Sequence, residues 1–401
     1  MKKFLSIALC AGFLTLAGCG GGSDTAATPT TPTTPTTPTT PTTPTTPTVP
    51  VTPDPVTSPI TYTLSAGFDH SIAIKSDGTL LSWGDNQFGQ LGDGTRVNAA
   101  QPKQVASGYI ATAAGFNHTL ALRADGSLWA WGDNQYGQLG LGTTVTQATP
   151  VRVAAGETFT AIAAGQRHSL AIRADGSLWA WGENSSGQLG VDSRTNSLVP
   201  LQVTPGSLYT AIAAHGGFHS VAIRADGSLW AWGFNFSGQL GDGSIITRQV
   251  PVRIGNDVLN RSIATGTDFT LAVKKDGSLL AWGSNANGQL GDGKTVSQLV
   301  PLKISTGYAN VAAGEKHSVG LKTDGTLWAW GDNASGQLGD GTTVAKLVPT
   351  KIGSNFTGVS AGQFHAIGIK SDGSLWGWGF SISKNAGGSL SLIQLATSGY
   401  K

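Results

Sequence analysis

Residues 159–203 read FTAIAAGQRHSLAIRADGSLWAWGENSSGQLGVDSRTNSLVPLQV, and this stretch contains every element of the unit from which the fold is built. Four short apolar runs alternate with turn signals, at 159–164, 168–173, 178–181 and 198–203. Gly165 and the pair Asp175-Gly176 separate the first three runs, as in strands joined by tight turns. Pro200 suits an edge strand, because proline cannot donate a hydrogen bond to a neighbouring strand. The stretch therefore predicts a four-stranded antiparallel sheet.

The same unit recurs seven times between residues 60 and 401. Each copy is marked by the tryptophan of a Trp-Gly pair, at Trp83, Trp131, Trp181, Trp232, Trp282, Trp330 and Trp378. Successive tryptophans are 48 to 51 residues apart, and a period near fifty residues indicates a propeller or an array. One such sheet would expose two apolar faces, which neighbouring sheets cover when they stack around an axis. We therefore predict an all-β fold, a seven-bladed β-propeller of four-stranded antiparallel blades with tryptophans between the blades.

Two copies carry a family resemblance. The strings AGFNHTLALRADGSLWAWGDNQYGQLGLGT (114–143) and AGEKHSVGLKTDGTLWAWGDNASGQLGDGT (313–342) resemble the repeat of the regulator of chromosome condensation family. The resemblance covers residues 60–401 and implies a seven-bladed propeller. It implies less about function, since members include a nucleotide exchange factor for a nuclear small GTPase that also binds chromatin, and a secreted bacterial inhibitor of β-lactamases. Their shared theme is protein binding by a propeller face.

Composition excludes several classes of protein. Glycine accounts for 57 of the 401 residues and charged residues for only 12%, against about 25% charged residues in ordinary soluble domains. Such a chain is neither a helical bundle nor a coiled coil. Lys and Arg number 25 and Asp and Glu 23, and two of the lysines fall in the first 19 residues. The rest is balanced and has no basic run, which argues against nucleic-acid binding as the main task.

Residues 1–19 form a predicted lipoprotein signal peptide. Two lysines precede an apolar stretch that is too short to serve comfortably as a permanent membrane span. The ending LAGC, which closes at Cys19, resembles the bacterial lipobox and implies that Cys19 is lipidated and becomes the first mature residue. Cys10 would leave with the signal, so no disulfide could form within the mature chain. The alternative is an ordinary secretory signal with an incidental cysteine.

Residues 20–59 form a predicted Thr/Pro-rich linker ahead of the propeller at 60–401. Its Thr-Thr-Pro repeats have nothing to bury and favour an extended polyproline II chain of about 3.1 Å per residue. We expect a disordered stalk that holds the propeller away from a membrane. Gly20 is not the aspartate associated with inner-membrane retention in some bacteria, which favours a lipid-anchored protein of the outer membrane, periplasmic or surface-exposed.

Six histidines occupy equivalent positions of the repeats, His70, His118, His168, His219, His317 and His365, with His215 outside the pattern. A symmetric ring of imidazoles invites a metal. Repeat five carries Phe269 at this position, however, which favours a packed residue whose imidazole bonds to a backbone group. Pairs such as His168-Ser169 also suggest a nucleophile and its base, but neighbours on a strand point to opposite faces and cannot form a dyad. We therefore predict no catalytic residue and no metal.

Carboxylates also recur. An Asp-Gly pair ends the second run of every repeat, and hairpin turns need this pair for its positive φ angles, so turn chemistry explains it without a ligand. The loop WGDNQFGQLGDG (83–94) offers Asp85, Asn86 and Asp93 as oxygen ligands, but its spacing does not match a calcium loop. Its asparagine is expected to brace the loop through side-chain to backbone bonds instead. No cofactor is predicted.

One face of the propeller is the expected contact surface. Antiparallel order places the AGxxH and WGxNxxG loops on the same face, which we name the loop face, and the Asp-Gly turns on the opposite one, the turn face. The variable loop positions of repeats one, two and four carry aromatic residues, which we name the aromatic arc: Phe68, Phe88, Phe116, Tyr136, Phe218, Phe234 and Phe236. The same positions of repeats three, five and six are mostly polar or small.

An aromatic cluster rimmed by polar groups is typical of protein or sugar binding. The alternative is that these rings pack between the tops of the blades. We predict a monomeric, non-enzymatic binding module, attached to a membrane through its lipid anchor only, that recognises an unknown protein partner through the arc. Carbohydrate or cell-wall binding by the same face is the second hypothesis, and an enzyme such as a lyase in the central channel is the third.

Overall fold

A computed structural model describes residues 64–380 and 389–396. The predicted signal peptide with Cys19 and the predicted linker lie outside these residues. The described part contains twenty-eight strands in seven four-stranded antiparallel sheets, which confirms the predicted propeller. No helix in these two ranges has the length and apolar character to cross a membrane.

The strands run in chain order, four to a blade. Blade one has β1 (Leu64–Ala66), β2 (His70–Ile74), β3 (Leu80–Gly84) and β4 (Ala99–Ala106), and blade two has β5 (Tyr109–Ala114), β6 (His118–Arg123), β7 (Leu128–Gly132) and β8 (Gln147–Val153). Blade three has β9 (Phe159–Ala164), β10 (His168–Arg173), β11 (Leu178–Gly182) and β12 (Ser197–Val203), and blade four has β13 (Tyr209–Ala213), β14 (His219–Arg224), β15 (Leu229–Gly233) and β16 (Arg248–Gly255).

The last three blades repeat this plan. Blade five has β17 (Val258–Thr265), β18 (Phe269–Lys274), β19 (Leu279–Gly283) and β20 (Gln298–Ser305). Blade six has β21 (Tyr308–Ala313), β22 (His317–Lys322), β23 (Leu327–Gly331) and β24 (Lys346–Gly353). Blade seven has β25 (Phe356–Ala361), β26 (His365–Lys370), β27 (Leu375–Gly379) and β28 (Ser389–Ala396).

Every blade is built from four consecutive strands. The first strand of each lines the central channel, and the fourth is an outer edge, where Pro200 lies as expected. Because blades one and seven each take their four strands from one continuous segment, the described strands of the two chain ends do not mix within one blade. Closure instead joins blade seven to blade one, where the Ala66 amide donates to Ser360 Oγ at 3.0 Å.

The seven marker tryptophans fill the seams between blades and are fully buried. Trp181 of blade three donates its indole N–H to the Gln138 carbonyl of blade two at 2.9 Å. Gly140 follows in the same loop with φ +72°, and a Cβ there would lie 2.8 Å from the indole nitrogen. The Gln and Gly of the GQLG string therefore receive the tryptophan of the next blade, and burial of one indole stabilises the ring by a few kcal/mol.

The Asp-Gly turns differ from the prediction in one respect. Gly176 adopts φ +83°, whereas the preceding aspartate is not among the residues with positive φ. Asp175 instead accepts hydrogen bonds from the Ser177 amide at 2.8 Å and the Ser177 hydroxyl at 2.6 Å. The turn therefore needs the glycine for its left-handed backbone and the aspartate for its carboxylate. The expectation of two positive φ angles was wrong, and the conclusion that turn chemistry accounts for the aspartate holds.

Candidate functional site

The histidines lie in the seams, and their imidazoles bond to the next blade. His168 Nε2 lies 2.9 Å from Ser220 Oγ, and that hydroxyl donates to the Gln188 carbonyl at 2.9 Å. Trp232 donates to the same carbonyl. Equivalent contacts of 2.8 to 3.1 Å join His70 to Thr119, His118 to Ser169, His219 to Thr270 and His365 to Ser71. The prediction of a packed imidazole is confirmed, but its backbone partner was wrong, because the partner is a hydroxyl across the seam.

This network is structural rather than nucleophilic. The Ser220 hydroxyl donates its hydrogen to the Gln188 carbonyl, so His168 Nε2 must carry the proton that joins them. Burial lowers the pKa of His168 to about 3, which keeps the imidazole neutral. A neutral, fully enclosed imidazole that donates to a serine cannot act as that serine's base. Within the described residues, no three His, Cys, Asp or Glu side chains are grouped to hold a metal ion.

Two substitutions interrupt the network. Phe269 replaces the histidine of blade five, and Ser318 across the seam still donates to the Gln289 carbonyl at 2.7 Å. Ala366 replaces the hydroxyl residue of blade seven, so neither imidazole nitrogen of His317 has a hydrogen-bond partner. The seam therefore tolerates loss of the imidazole without an orphaned group, but loss of the hydroxyl leaves one.

The asparagine of the WGxNxxG loop braces it as predicted. Asn86 Nδ2 donates to the Thr95 and Val97 carbonyls at 3.2 and 3.1 Å and to Asp93 Oδ1 at 3.1 Å. The oxygen atoms that resembled a calcium site thus converge on an amide N–H group. Burial opposes ionisation of Asp93, but hydrogen bonds from Lys103 and Thr95 outweigh it and lower its pKa to about 2. The loop holds itself together with its own side chains.

Both loop types meet on the loop face, as predicted. The Asp85 amide donates to the Asp69 carbonyl, and the Asp133 amide to the Asn117 carbonyl, each at 2.8 Å. These bonds tie the WGxNxxG loop of a blade to the AGxxH loop of the same blade. The variable positions of the two loops of a blade therefore lie together on the loop face.

The structure brings four residues of the aromatic arc together in pairs. The Phe68 and Phe116 rings lie 3.6 Å apart between centroids, and the Phe234 and Phe236 rings lie 4.7 Å apart. Phe236 is 69% exposed. Tyr136 carries the Arg167 guanidinium 4.8 Å above its ring. The other six residues of the arc are partly buried: Phe68, Phe88, Phe116, Tyr136, Phe218 and Phe234.

Phe68 and Phe116 border a cavity of about 290 Å³ at the loop-face end of the channel. We name this cavity the mouth. Its wall is the residue after Ala-Gly in successive blades, and its lining is Phe68, Gly115, Phe116, Gln166, His215, Gly216, Thr267, Glu315 and Gln363. Blades one and two thus contribute phenyl rings to the circle, and the other five blades contribute amide, imidazole, hydroxyl and carboxylate groups. The two phenylalanines were predicted from the sequence as contact residues, but the polar part of the mouth was not.

His215 bridges the channel beneath the mouth. Its Nδ1 atom lies 3.1 Å from the Ala313 carbonyl of blade six, and its own carbonyl accepts a 2.6 Å bond from Thr265 Oγ1. The imidazole also bonds to the backbone of Ala66 in blade one, and burial lowers its pKa. His215 lines both the mouth and a second cavity of about 130 Å³ among the first strands. A one-residue insertion marks it in sequence, since repeat four reads AHGGFH where five other repeats read AGxxH and repeat five reads TGTDF.

Two carboxylates, Glu315 and Asp268, lie at the polar part of the mouth or close to it. Glu315 pairs with Lys316, whose Nζ lies 3.2 Å from Oε1, and accepts a bond from the Gln363 amide on its other oxygen. Asp268 accepts a 3.0 Å bond from Gln239, and burial together with the nearby Glu315 charge raises its pKa. The Gln363 side-chain oxygen is buried without a partner. This side of the mouth is therefore rich in hydrogen-bond acceptors.

Three solved structures share the fold. A yeast RCC1 (Prp20) bound to Kap60 is 23% identical with a TM-score of 0.71, over 79% of this chain and 83% of that one. Prp20p from Saccharomyces cerevisiae is 24% identical with a TM-score of 0.70, over 79% and 85%. Human WBSCR16 is 23% identical with a TM-score of 0.68, over 76% and 85%. At these identities the likeness concerns the fold alone.

Sequence comparison adds the family. The ultraviolet-B receptor UVR8 of Arabidopsis thaliana is 45% identical over 42 residues, so the match spans about 10% of each chain. A family model described as the regulator of chromosome condensation (RCC1) repeat matches residues 125–172, 175–223, 226–273, 276–321 and 324–369. A second model of the same description matches 63–90, 103–138, 159–188, 209–239, 261–289 and 308–337. The chain therefore belongs to the family of proteins built from regulator of chromosome condensation repeats.

Proposed function

We propose that this propeller is a lipid-anchored, extracytoplasmic module that binds a protein partner through the aromatic arc. The proposal rests on one observation, the difference in residue variation and burial between the seam positions and the loop face. The seam positions hold nearly the same residues in all blades and are buried, whereas the arc occupies variable loop positions and keeps part of each ring accessible. Partly exposed aromatic rings are the side chains that most often dominate protein interfaces.

The polar groups of the blades support binding rather than covalent chemistry. Five of the seam imidazoles bond to hydroxyls of the next blade, and the loop asparagines bond to their own loops. None of these groups is presented to solvent with the geometry of a nucleophile and its base. The loop face thus presents accessible aromatic rings, which suit the recognition of a partner.

Similar structures are consistent with this role. Prp20p was studied for its binding properties to Gsp1p and histones, and the yeast RCC1 was solved bound to Kap60. All three of these partners are proteins. We do not carry those partners over, because the predicted signal peptide would place this chain outside the cytoplasm. A partner in the cell envelope fits the proposed location.

Site-specific crosslinking in the native cell tests the proposal. A photo-reactive amino acid at Phe236 on the loop face is expected to capture a defined protein, and the same group at Asp226 on the turn face is not. The captured protein is then purified and its affinity for the full chain is measured. Capture from both faces alike, or of a glycan alone, would contradict the proposal.

A matched pair of triple variants sharpens the result. Replacement of Phe88, Tyr136 and Phe236 by alanine is expected to weaken the partner at least about tenfold, since each aromatic anchor typically contributes more than 1 kcal/mol. The control replaces the polar residues in the equivalent loops of blades three, five and six, Ser186, Asn287 and Ser335, by alanine. Equal affinities of the two triple variants would refute a role for the arc.

A further inference from the structure

We propose that the mouth of the central channel is a seat for one cationic side chain, a lysine or an arginine, presented by the partner protein. The inference rests on the proposed function, because it names what the centre of the loop face would hold. It concerns a small concave site, whereas the proposed function concerns the wider arc.

The size and form of the mouth suit a single side chain. Its volume of about 290 Å³ is several times the roughly 30 Å³ that one water molecule occupies in the liquid. His215 forms its floor and bridges blades four and six through the 3.1 Å bond to the Ala313 carbonyl. A guest therefore enters from the loop face and ends at that imidazole.

One wall is aromatic. Phe68 and Phe116 are half-buried, and their rings lie 3.6 Å apart at the rim. Because the face of a phenyl ring carries partial negative charge, it attracts a lysine or arginine head group and also covers the apolar stem. A carboxylate guest would find no such attraction there.

The wall next to Phe68 provides acceptors, since the Gln363 amide bonds to the Phe68 carbonyl at 3.3 Å. Glu315 lines the mouth and Asp268 lies close enough for the two charges to interact. The Gln363 side-chain oxygen is buried without a donor and belongs to the same lining. Carboxylate and amide oxygens on one side of an enclosed space favour a guest that carries N–H donors and positive charge.

The chain already places its own cation at this position. Lys316 pairs with Glu315 at 3.2 Å, but its side chain is 49% exposed, and exposed ion pairs of this kind are weak. An incoming ammonium or guanidinium group could take over Glu315 as its partner while Lys316 turns to solvent. Lys316 is therefore a competitor of the guest rather than part of the seat.

Apart from Lys316, the neighbouring basic residues do not oppose the guest. Arg167, which adjoins the mouth residue Gln166, is directed outward to the Tyr136 hydroxyl at 3.1 Å. The floor residue His215 is half-buried, and desolvation lowers its pKa, so that it is neutral near pH 7. The electrostatic balance inside the mouth thus remains negative.

Small probes test the seat without the partner. Butylguanidinium and butylammonium are titrated into the full chain by calorimetry and by saturation-transfer nuclear magnetic resonance, with butyramide and butyrate as neutral and anionic controls of similar length. We expect both cations to bind and the controls to bind at least about tenfold more weakly, which is the order of one charge-assisted hydrogen bond. Equal binding of cation and neutral probe would overturn the proposal.

Two adjacent substitutions are expected to act in opposite directions. Glu315→Gln should weaken the cationic probes about tenfold, because the carboxylate charge is lost. Lys316→Met should strengthen them severalfold, because the competing ammonium is gone. Damage to the fold would weaken both variants alike, and unfolding midpoints check this directly. Tighter binding by Glu315→Gln, or weaker binding by Lys316→Met, would contradict the seat.

The probe experiment and the arc experiment test the two proposals independently, so either proposal can be refuted while the other stands. If the cationic probes bind as expected while the triple variant of the arc retains the partner, the seat stands and the proposed function falls. If the triple variant loses the partner while the probes do not discriminate charge, the arc stands and the seat is refuted.

Discussion

His168 Nε2 and Ser220 Oγ lie 2.9 Å apart across the seam between blades three and four, although 52 positions separate them in the chain. The same bond joins four further pairs of blades, and between blades three and four its proton belongs to the imidazole because the hydroxyl hydrogen is already donated to a main-chain carbonyl. In the four seams from blade one to blade five, a histidine bonds to a hydroxyl of the next blade, and that hydroxyl and an indole donate to one glutamine carbonyl.

Restoring the missing hydroxyl should stabilise the protein. Ala366→Ser gives His317 the partner that it lacks, and a buried hydrogen bond of this kind is worth about 1 kcal/mol. The free energy of unfolding, measured in urea with the full chain, is expected to rise by that amount. Ala171→Ser is the control, because it buries a hydroxyl with no orphaned imidazole opposite and should destabilise. An unchanged or lower stability of Ala366→Ser would show that the space beside His317 cannot accept the hydroxyl.

Acid should destabilise the propeller through its buried histidines. Burial lowers the pKa of His70 to about 4 and those of His118, His168, His219, His317 and His365 to about 3, from 6.5. The unfolded chain therefore binds more protons between pH 6.5 and 3, so the stability present above pH 6.5 is lost as the pH falls through this window. Each histidine contributes on the order of 2 kcal/mol of this loss at pH 5.

Replacing one seam histidine distinguishes the contribution of the histidines to the acid sensitivity from that of the carboxylates. His168→Phe copies blade five and removes one titrating imidazole, so its unfolding free energy should change less between pH 7.5 and pH 5 than that of the wild type. Denaturant titrations at the two pH values measure the difference. An identical pH dependence in the variant would mean that carboxylates, not seam histidines, cause the acid sensitivity.

The glycine three residues before a seam histidine, such as Gly115 before His118, should not tolerate a side chain. A Cβ at Gly115 would lie 2.3 Å from His118 Cε1 and 2.6 Å from the Gly165 carbonyl of the next blade. Gly115→Ala is therefore expected to cost about 2 to 3 kcal/mol of folding free energy, as overpacking in a rigid core does. Gly358→Ala is the matched control, because a Cβ at Gly358 would have no atom within 4 Å. Comparable thermal midpoints for the two variants would contradict this account of the seam.

Membrane attachment should depend on Cys19. If Cys19 is lipidated, Cys19→Ser is expected to move the protein from the membrane fraction to the soluble fraction of the cell envelope, because no acyl chain then holds it. Cys10→Ser changes the other cysteine of the chain and should leave the distribution unaltered. Fractionation followed by immunoblotting measures both variants. A Cys19→Ser variant that remains with the membrane would exclude the anchor.

Several features of the loop face could be foreseen from the chain and others could not. The arc residues were found because repeats can be compared with each other, which separates seam positions from variable ones. The pairing of Phe68 with Phe116 and the approach of Glu315 to Gln363 join different blades, and no local pattern specifies such contacts. His215 left a signal in the extra residue of repeat four, but its partner Ala313 lies 98 residues away.

The sequence by itself determined the repeat, the four strands of each blade, the glycine turns and the face on which each loop lies. These follow from the two-residue alternation of strands and from turn chemistry, which act between residues close in the chain. The tertiary structure decided which hydroxyl each imidazole contacts and which side chain bridges the channel. It also decided which blades line the mouth with aromatic residues and which with polar ones. Those relations arise only when the ring closes and brings residues about fifty or more positions apart into van der Waals contact.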